Sequence, residues 1–215
     1  ANTTRECRLN GTVQSLDAYW TEALPQQAGV EYALPEVVSF TGQVSTGCGA
    51  ATSAVGPFYC PPDQTVYIDL GFYDDLTNRF GANDGGLAEM YVVAHEFGHH
   101  IEQLTGAMDS ADRQGTGPES DSVRIELMAD CLAGMWAGPA ATTVDPDTGV
   151  PFLAPITKQQ LDAAMSAASA VGDDRIQEAA TGPVTPEGWT HGSSEQRQRW
   201  FAAGGGGGSL GGRGR

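Results

Sequence analysis

The alternation of apolar and polar positions along the chain predicts a mainly helical domain with a little strand. Val13, Leu16, Tyr19, Trp20 and Leu24 recur at spacings of three and four, which predicts a first helix over residues 9–24. Residues 36–40 read as a short strand. Residues 65–70, Thr-Val-Tyr-Ile-Asp-Leu, alternate and are β-branched, which predicts another. A Gly-rich stretch, residues 41–56, lies between them and reads as a loop. Gly85-Gly86 opens a helix that runs to about Leu104 and stops at Gly106. After a polar loop over residues 107–118, a second long helix runs from about Glu119 to Trp136 and ends at Gly138-Pro139. Asp145, Pro146 and Asp147 mark a further loop. Thr157 with Gln160, and Ser193 with Gln196, form two capping boxes; they open helices reaching Gly172 and about Phe201. From Gly204 the chain is Gly-rich and nearly without apolar residues. Residues 204–215 are therefore expected to be a disordered tail behind a single domain, residues 1–203. The pattern as a whole predicts an α+β fold, mainly helical with a small β-sheet.

Charge narrows the partners. The chain has 27 acidic and 11 basic residues, a formal charge of −16, and Lys158 is its one lysine. Such a field repels nucleic acid and anionic membrane, so neither is expected as a partner. No run of 18 apolar residues occurs to span a bilayer. The first residue is Ala1, not Met, which suggests a trimmed product whose signal peptide or N-terminal anchor lies outside this sequence. The four cysteines are widely spaced and none forms a C-x-x-C pair. Two disulfides are expected, Cys48–Cys60 across a short Gly/Ser/Pro-containing loop and Cys7–Cys131 by subtraction. That would place the domain outside the cytoplasm; buried thiols are the alternative.

Candidate chemistry starts at His95-Glu96-Phe97-Gly98-His99. On a helix, positions four apart lie about 40° apart, so His95 and His99 point the same way and can share one Zn2+ ion. Glu96 stands about 100° round from His95, beside the metal, where it can act on a bound water. Met90, Val93, Ala94, Phe97, Ile101 and Leu104 form the apolar stripe on the other face. His100 is turned away and is expected to be structural, or to support the ligands from behind, but not to bind the metal. A hydrolytic zinc needs a third protein ligand and one open position. The second long helix offers Glu126 and Asp130, again four apart, among residues apolar on nearly every side. Two carboxylates buried there need compensation, and the one base nearby in sequence, Arg124, is off their face. Glu126 is therefore expected as the third ligand and Asp130 as the acceptor that fixes a ligand histidine's tautomer. The swapped assignment and a surface carboxylate pair are the alternatives.

These blocks resemble a known family. Residues 49–70, His95 to His100, Glu126 to Cys131, Gly172-Asp173-Asp174-Arg175 and the stretch from Thr190 to Arg197 are similar to the bacterial putative neutral zinc metallopeptidases. The Glu-x-x-x-Asp spacing also resembles the wider gluzincin group. The resemblance implies a zincin-like catalytic domain with its small sheet over the His-Glu-x-x-His helix. It also implies a domain tethered outside the cell. The Gly-rich tail departs from the pattern.

A zinc-dependent peptidase cutting internal peptide bonds is the function expected, with Glu96 as general base toward a zinc-activated water. His191, in the loop before the last helix, is a candidate donor to the oxyanion, against a reading as a surface or structural histidine. Tyr67 could donate to substrate, and its strand could pair as an edge with the substrate backbone. The expected partner is a peptide or protein. A zinc-holding scaffold without proteolytic activity, or a zinc amidase acting on cell wall, are the alternative readings.

Overall fold

The computed structural model describes residues 4–78, 82, 86–180 and 183–207. Helix α1 (Arg5–Ala28) starts four residues before the apolar pattern, because the Thr4 side chain caps it by accepting from the Cys7 N–H. It tolerates Pro25 in its last turn and ends at Gly29 in the left-handed conformation.

Next come β1 (Glu36–Phe40), β2 (Gln43–Thr46), β3 (Gly49–Thr52), β4 (Phe58–Cys60) and β5 (Thr65–Asp69). The stretch expected as one loop is thus largely an antiparallel hairpin, β2 with β3, followed by a strand. Its small residues carry little apolar periodicity, so the pattern did not reveal them. The main sheet has the order β1-β5-β4, with β1 parallel and β4 antiparallel to β5. Strand β5 is therefore central and buried throughout, and the expected edge strand along a substrate is not β5. Period-two alternation explains its burial. Val66 and Ile68 enter the main core, while Tyr67 on the opposite face stacks on Phe58 and packs with Phe40 and Cys60.

Helices α2 (Phe72–Asn78), α3 (Gly86–Leu104), α4 (Ala107–Ser110), α5 (Asp121–Ala137), α6 (Lys158–Ala170), α7 (Asp173–Ala179) and α8 (Ser194–Gly205) complete the fold. Both expected capping boxes form, at Thr157/Gln160 and Ser193/Gln196. The short helix α4 falls where a loop was expected, and α7 falls where the pattern assigns no element. Helix α3 is the hub. It packs on α1, α5, α6 and the sheet strands β4 and β5, and is buried along almost its whole length.

The first two glycines of the tail are part of α8, not beyond it. A Cβ at Gly204 would lie 2.0 Å from the Cys131 carbonyl oxygen, and one at Gly134 would lie 2.0 Å from that of Phe201. Glycine here lets α5 and α8 approach backbone to backbone. The expectation of disorder over residues 208–215 falls outside the described residues. Among the described residues, no helix is long and apolar enough to cross a membrane.

Candidate metal centre

Two crossing helices assemble the site. Gly98, between the two histidines of α3, faces Ala129, between Glu126 and Asp130 of α5. Close approach there brings both four-residue pairs together across the crossing.

The result is one converging set. His95 Nε2 lies 3.1 Å from Glu126 Oε2, and His99 Nε2 lies 3.5 Å from Glu126 Oε1. One donor atom from each of the three residues lies within 4.8 Å of the others. Zinc bonds of 2.0–2.1 Å in a tetrahedron put ligands roughly 3.3 Å apart, so this donor set fits the ion sterically and chemically.

The other imidazole nitrogens are spoken for. His95 Nδ1 sits 2.9 Å from Asp130 Oδ1, and His99 Nδ1 sits 2.8 Å from Glu102 Oε2. Both Nδ1 atoms thus face a carboxylate, which leaves the Nε2 atom of each ring toward the shared centre. Asp130 thus has the position expected of it. Glu102, on the same helix three residues after His99, does the same for the second histidine and was not anticipated. The spacing His99-x-x-Glu102 was the available signal.

Asp130 does not rely on a metal for compensation. Arg197 of α8 donates from Nε to Oδ2 at 2.8 Å and from Nη2 to Oδ1 at 3.0 Å, and the Tyr91 hydroxyl donates to Oδ1. Arg197 also donates to the Val171 carbonyl from Nη1 at 3.1 Å. Burial alone would raise the Asp130 carboxyl, but Arg197 and His95 overcome it and hold it below its usual range. The base that pairs with this carboxylate is 67 residues away in sequence, which is why neighbouring residues gave no sign of it.

Glu126 behaves alike: burial opposes ionisation, yet the two imidazoles hold its carboxyl well below the carboxylate range. Glu96 differs. Burial pushes its carboxyl up against the pull of both imidazoles, and it has no hydrogen-bond partner among the described residues. Its side chain faces the cleft, a cavity of about 470 Å³ whose walls include His95, Glu96, His99, Glu126 and His191.

His191 therefore reaches the site. Asp173 at the start of α7 pins its loop: Oδ2 accepts from the backbone N–H groups of Thr190, His191 and Gly192 at 2.7, 2.7 and 3.0 Å. Oδ1 lies 3.1 Å from His191 Nδ1. That hydrogen bond raises the imidazole pKa, with burial opposing and Glu126 assisting.

Two expectations fail. Tyr67 does not line the cleft. Its hydroxyl donates to Asp63 Oδ2 at 2.8 Å on the far face of the sheet, because β5 is central and the neighbouring strand β4 brings Phe58 and Tyr59 to the cleft instead. Cys48–Cys60 is a disulfide, but Cys7 and Cys131 do not form one with each other. Cys7 is exposed near the start of α1, whereas Cys131 is buried on α5 where α8 crosses it. His100 lies outside the converging set, between the Tyr59 hydroxyl at 3.0 Å and the Ala33 carbonyl at 2.6 Å.

Fold and site together define an α+β domain built around a candidate metal centre of two imidazoles and a carboxylate. The chain belongs to the family described as "Putative neutral zinc metallopeptidase", which matches residues 4–211. It is 48% identical over 208 residues to an uncharacterized protein of Mycobacterium tuberculosis (strain H37Rv), covering 97% of this chain and 69% of that one. It is 43% identical over 188 residues to the uncharacterized protein YpfJ of Escherichia coli K12, covering 85% of this chain and 62% of that one. No solved structure matches the chain.

Proposed function

We propose that this domain is a zincin-type, zinc-dependent peptidase that hydrolyses internal peptide bonds. The observation that carries the reading is the convergence of His95 Nε2, His99 Nε2 and Glu126 on one point, with an uncommitted Glu96 facing the same cleft. His95, His99 and Glu126 would hold one Zn2+. A Zn2+ held there would supply a Lewis acid for a carbonyl and a bound water whose pKa lies nearer neutrality.

The chain's own groups do the rest. Glu96, raised by burial, is suited to accept a proton from the attacking water and return it to the departing amine. His191, whose imidazole pKa is raised by its hydrogen bond to Asp173, is placed to donate to the oxygen that gains charge as the carbonyl is attacked. Asp130 and Glu102 hold the two ligand imidazoles in the tautomer that offers Nε2. The substrate backbone runs along β4, which is an edge strand of the sheet and lines the cleft with Phe58 and Tyr59. The Cys48–Cys60 disulfide supports work in an oxidising compartment outside the cytoplasm.

The test compares cleavage of an unfolded protein by zinc-loaded wild type and Glu96→Gln, with zinc content measured in both. The reading requires that the wild type cleaves and that the variant keeps zinc but loses activity. Equal cleavage by both would remove Glu96 from the mechanism. Tight zinc with no cleavage of any protein or peptide would favour a non-proteolytic zinc domain, or an amidase if cell-wall material is cut instead.

A further inference from the structure

The cleft carries a cation that the reaction does not use. Arg113, in the loop between α4 and α5, lines the same cavity as His95, Glu96 and Glu126. Its guanidinium makes no hydrogen bond or ion pair among the described residues. The other arginine in the cleft wall, Arg197, has its donors spent on Asp130, Tyr91 and the Val171 carbonyl.

The backbone beneath Arg113 is nevertheless firmly held. The Asp112 N–H donates to Asp121 Oδ2 at 3.1 Å, and the Gln114 N–H donates to Asp112 Oδ1 at 3.1 Å. Ser122 Oγ donates to the Gly115 carbonyl at 2.7 Å. The Thr116 hydroxyl donates to the Glu187 carbonyl at 2.8 Å, and the Gly117 N–H donates to the Trp189 carbonyl at 2.8 Å. A fixed turn thus presents a free guanidinium to the cleft, in a chain of formal charge −16 with acids to spare as partners. Much of the remaining wall is apolar, including Val55 at 59% exposure and Ile176 at 36%. Arg113 is therefore the place in this cleft where an anion would be received.

We propose that Arg113 determines specificity by binding a carboxylate of the peptide substrate, two N–H groups to two oxygens. The proposal rests on the peptidase reading above. The carboxylate comes either from an Asp or Glu side chain near the scissile bond or from the substrate's C-terminus. An unassisted acidic peptide would be repelled by the net charge of the domain, so the preference depends on this one local contact.

The test uses zinc-loaded enzyme and a matched peptide series. Each peptide carries Glu, Gln or Lys at one position across the cleavage site, with the C-terminus either amidated or free. The wild type should favour Glu over Gln at one position by roughly tenfold in kcat/KM, a difference of about 1.4 kcal/mol. In Arg113→Ala that ratio should fall to about one, and in Arg113→Glu the preference should pass to Lys at the same position. If the free C-terminus carries the preference and loses it in Arg113→Ala, the proposal stands with the terminal carboxylate as the occupant. Binding of the same uncleaved peptides to zinc-loaded Glu96→Gln, followed by fluorescence anisotropy, should show the same ratios without turnover. The proposal is overturned if the wild type has no carboxylate preference, or if the preference survives Arg113→Ala. Failure to cleave even the neutral amidated peptides overturns the peptidase reading first, and this proposal with it.

Discussion

Gly98 on α3 lies directly against Ala129 on α5: a Cβ at position 98 would fall 2.8 Å from both the Cα and the carbonyl oxygen of Ala129. Because Gly98 separates His95 from His99 and Ala129 sits between Glu126 and Asp130, this contact sets the spacing of the whole centre. Gly98→Ala should push the helices apart and cost about 1–3 kcal/mol through overpacking. Zinc affinity should fall with stability, since the third ligand moves away from the first two. A melting temperature and zinc affinity equal to wild type would show that the crossing has room to spare.

Glu102 is fully buried, and its Oε1 has no partner among the described residues, while Oε2 meets His99 Nδ1 at 2.8 Å. Burial raises this carboxyl to about 7. A carboxylate kept in such a place points to a role on the histidine. Glu102→Ala should weaken zinc binding by about 10–100-fold, as for other partners of ligand histidines. Glu102→Gln, which retains an acceptor oxygen, should lose less. Competition against a chelator measures both, and unchanged affinity in Glu102→Ala would assign the residue to packing alone.

Arg197 and Asp130 form a buried pair at 4% and 0% side-chain exposure. Arg197→Met leaves the carboxylate without its strongest partner and should destabilise the protein by about 3–5 kcal/mol in chemical denaturation. Arg197→Met with Asp130→Asn should recover part of that loss, since the stranded charge is gone. No recovery would mean that packing of the arginine stem, not the charge, holds α8 against α5.

How much of this could be read from the chain follows a physical line. His95, His99, Glu126 and Asp130 announce themselves because each pair lies on one helix, where four-residue spacing fixes a shared direction. Arg197 comes from another helix, so no local pattern joins it to Asp130. The Cys7–Cys131 pairing failed for the same reason, since distance between elements is a tertiary property. Tyr67 was misplaced because alternation identifies a strand without saying which strand will be at the edge. Helix α7 is seven residues long, too short for periodicity to speak, yet Asp173 at its start holds the loop that carries His191.

The loop held by Asp173 makes stability depend on pH. Burial would raise Asp173, but His191 and the backbone N–H groups hold its carboxyl below the usual value. A depressed carboxyl stabilises above its unfolded pKa, about 3.9, and the gain is lost as pH falls through the lower folded value. His191 is raised by Asp173, so its share is complete below about 6.5 and is lost as pH rises through the raised folded value. The pair should therefore stabilise most between about pH 4 and 6.5. His191 is 48% exposed, so solvent screening keeps the effect modest. The melting-temperature deficit of Asp173→Asn should be widest in that window and narrow on both sides. A deficit flat across pH would assign Asp173 to its backbone contacts only.

The Cys48–Cys60 disulfide ties the β2–β3 turn to the end of β4, closing a loop of sequence separation 12. Asp63 reinforces the tie by accepting from the Gly47 N–H at 2.6 Å and from the Tyr67 hydroxyl. Phe58 and Tyr59, immediately before Cys60, line the cleft, so the crosslink steadies one of its walls. Replacing both cysteines with serine should cost about 3 kcal/mol, the scale for a loop of this size. Zinc affinity should change little, because the ligands stand on α3 and α5, which the crosslink does not touch. If β4 binds substrate as proposed and takes no part in the proton transfers, peptide KM should rise more than kcat falls. Cys7→Ser, at an exposed position without a disulfide, should leave stability as it is. If the double serine variant instead lost zinc with KM unchanged, the disulfide would be supporting the metal centre through the core, and β4 would not be the binding wall.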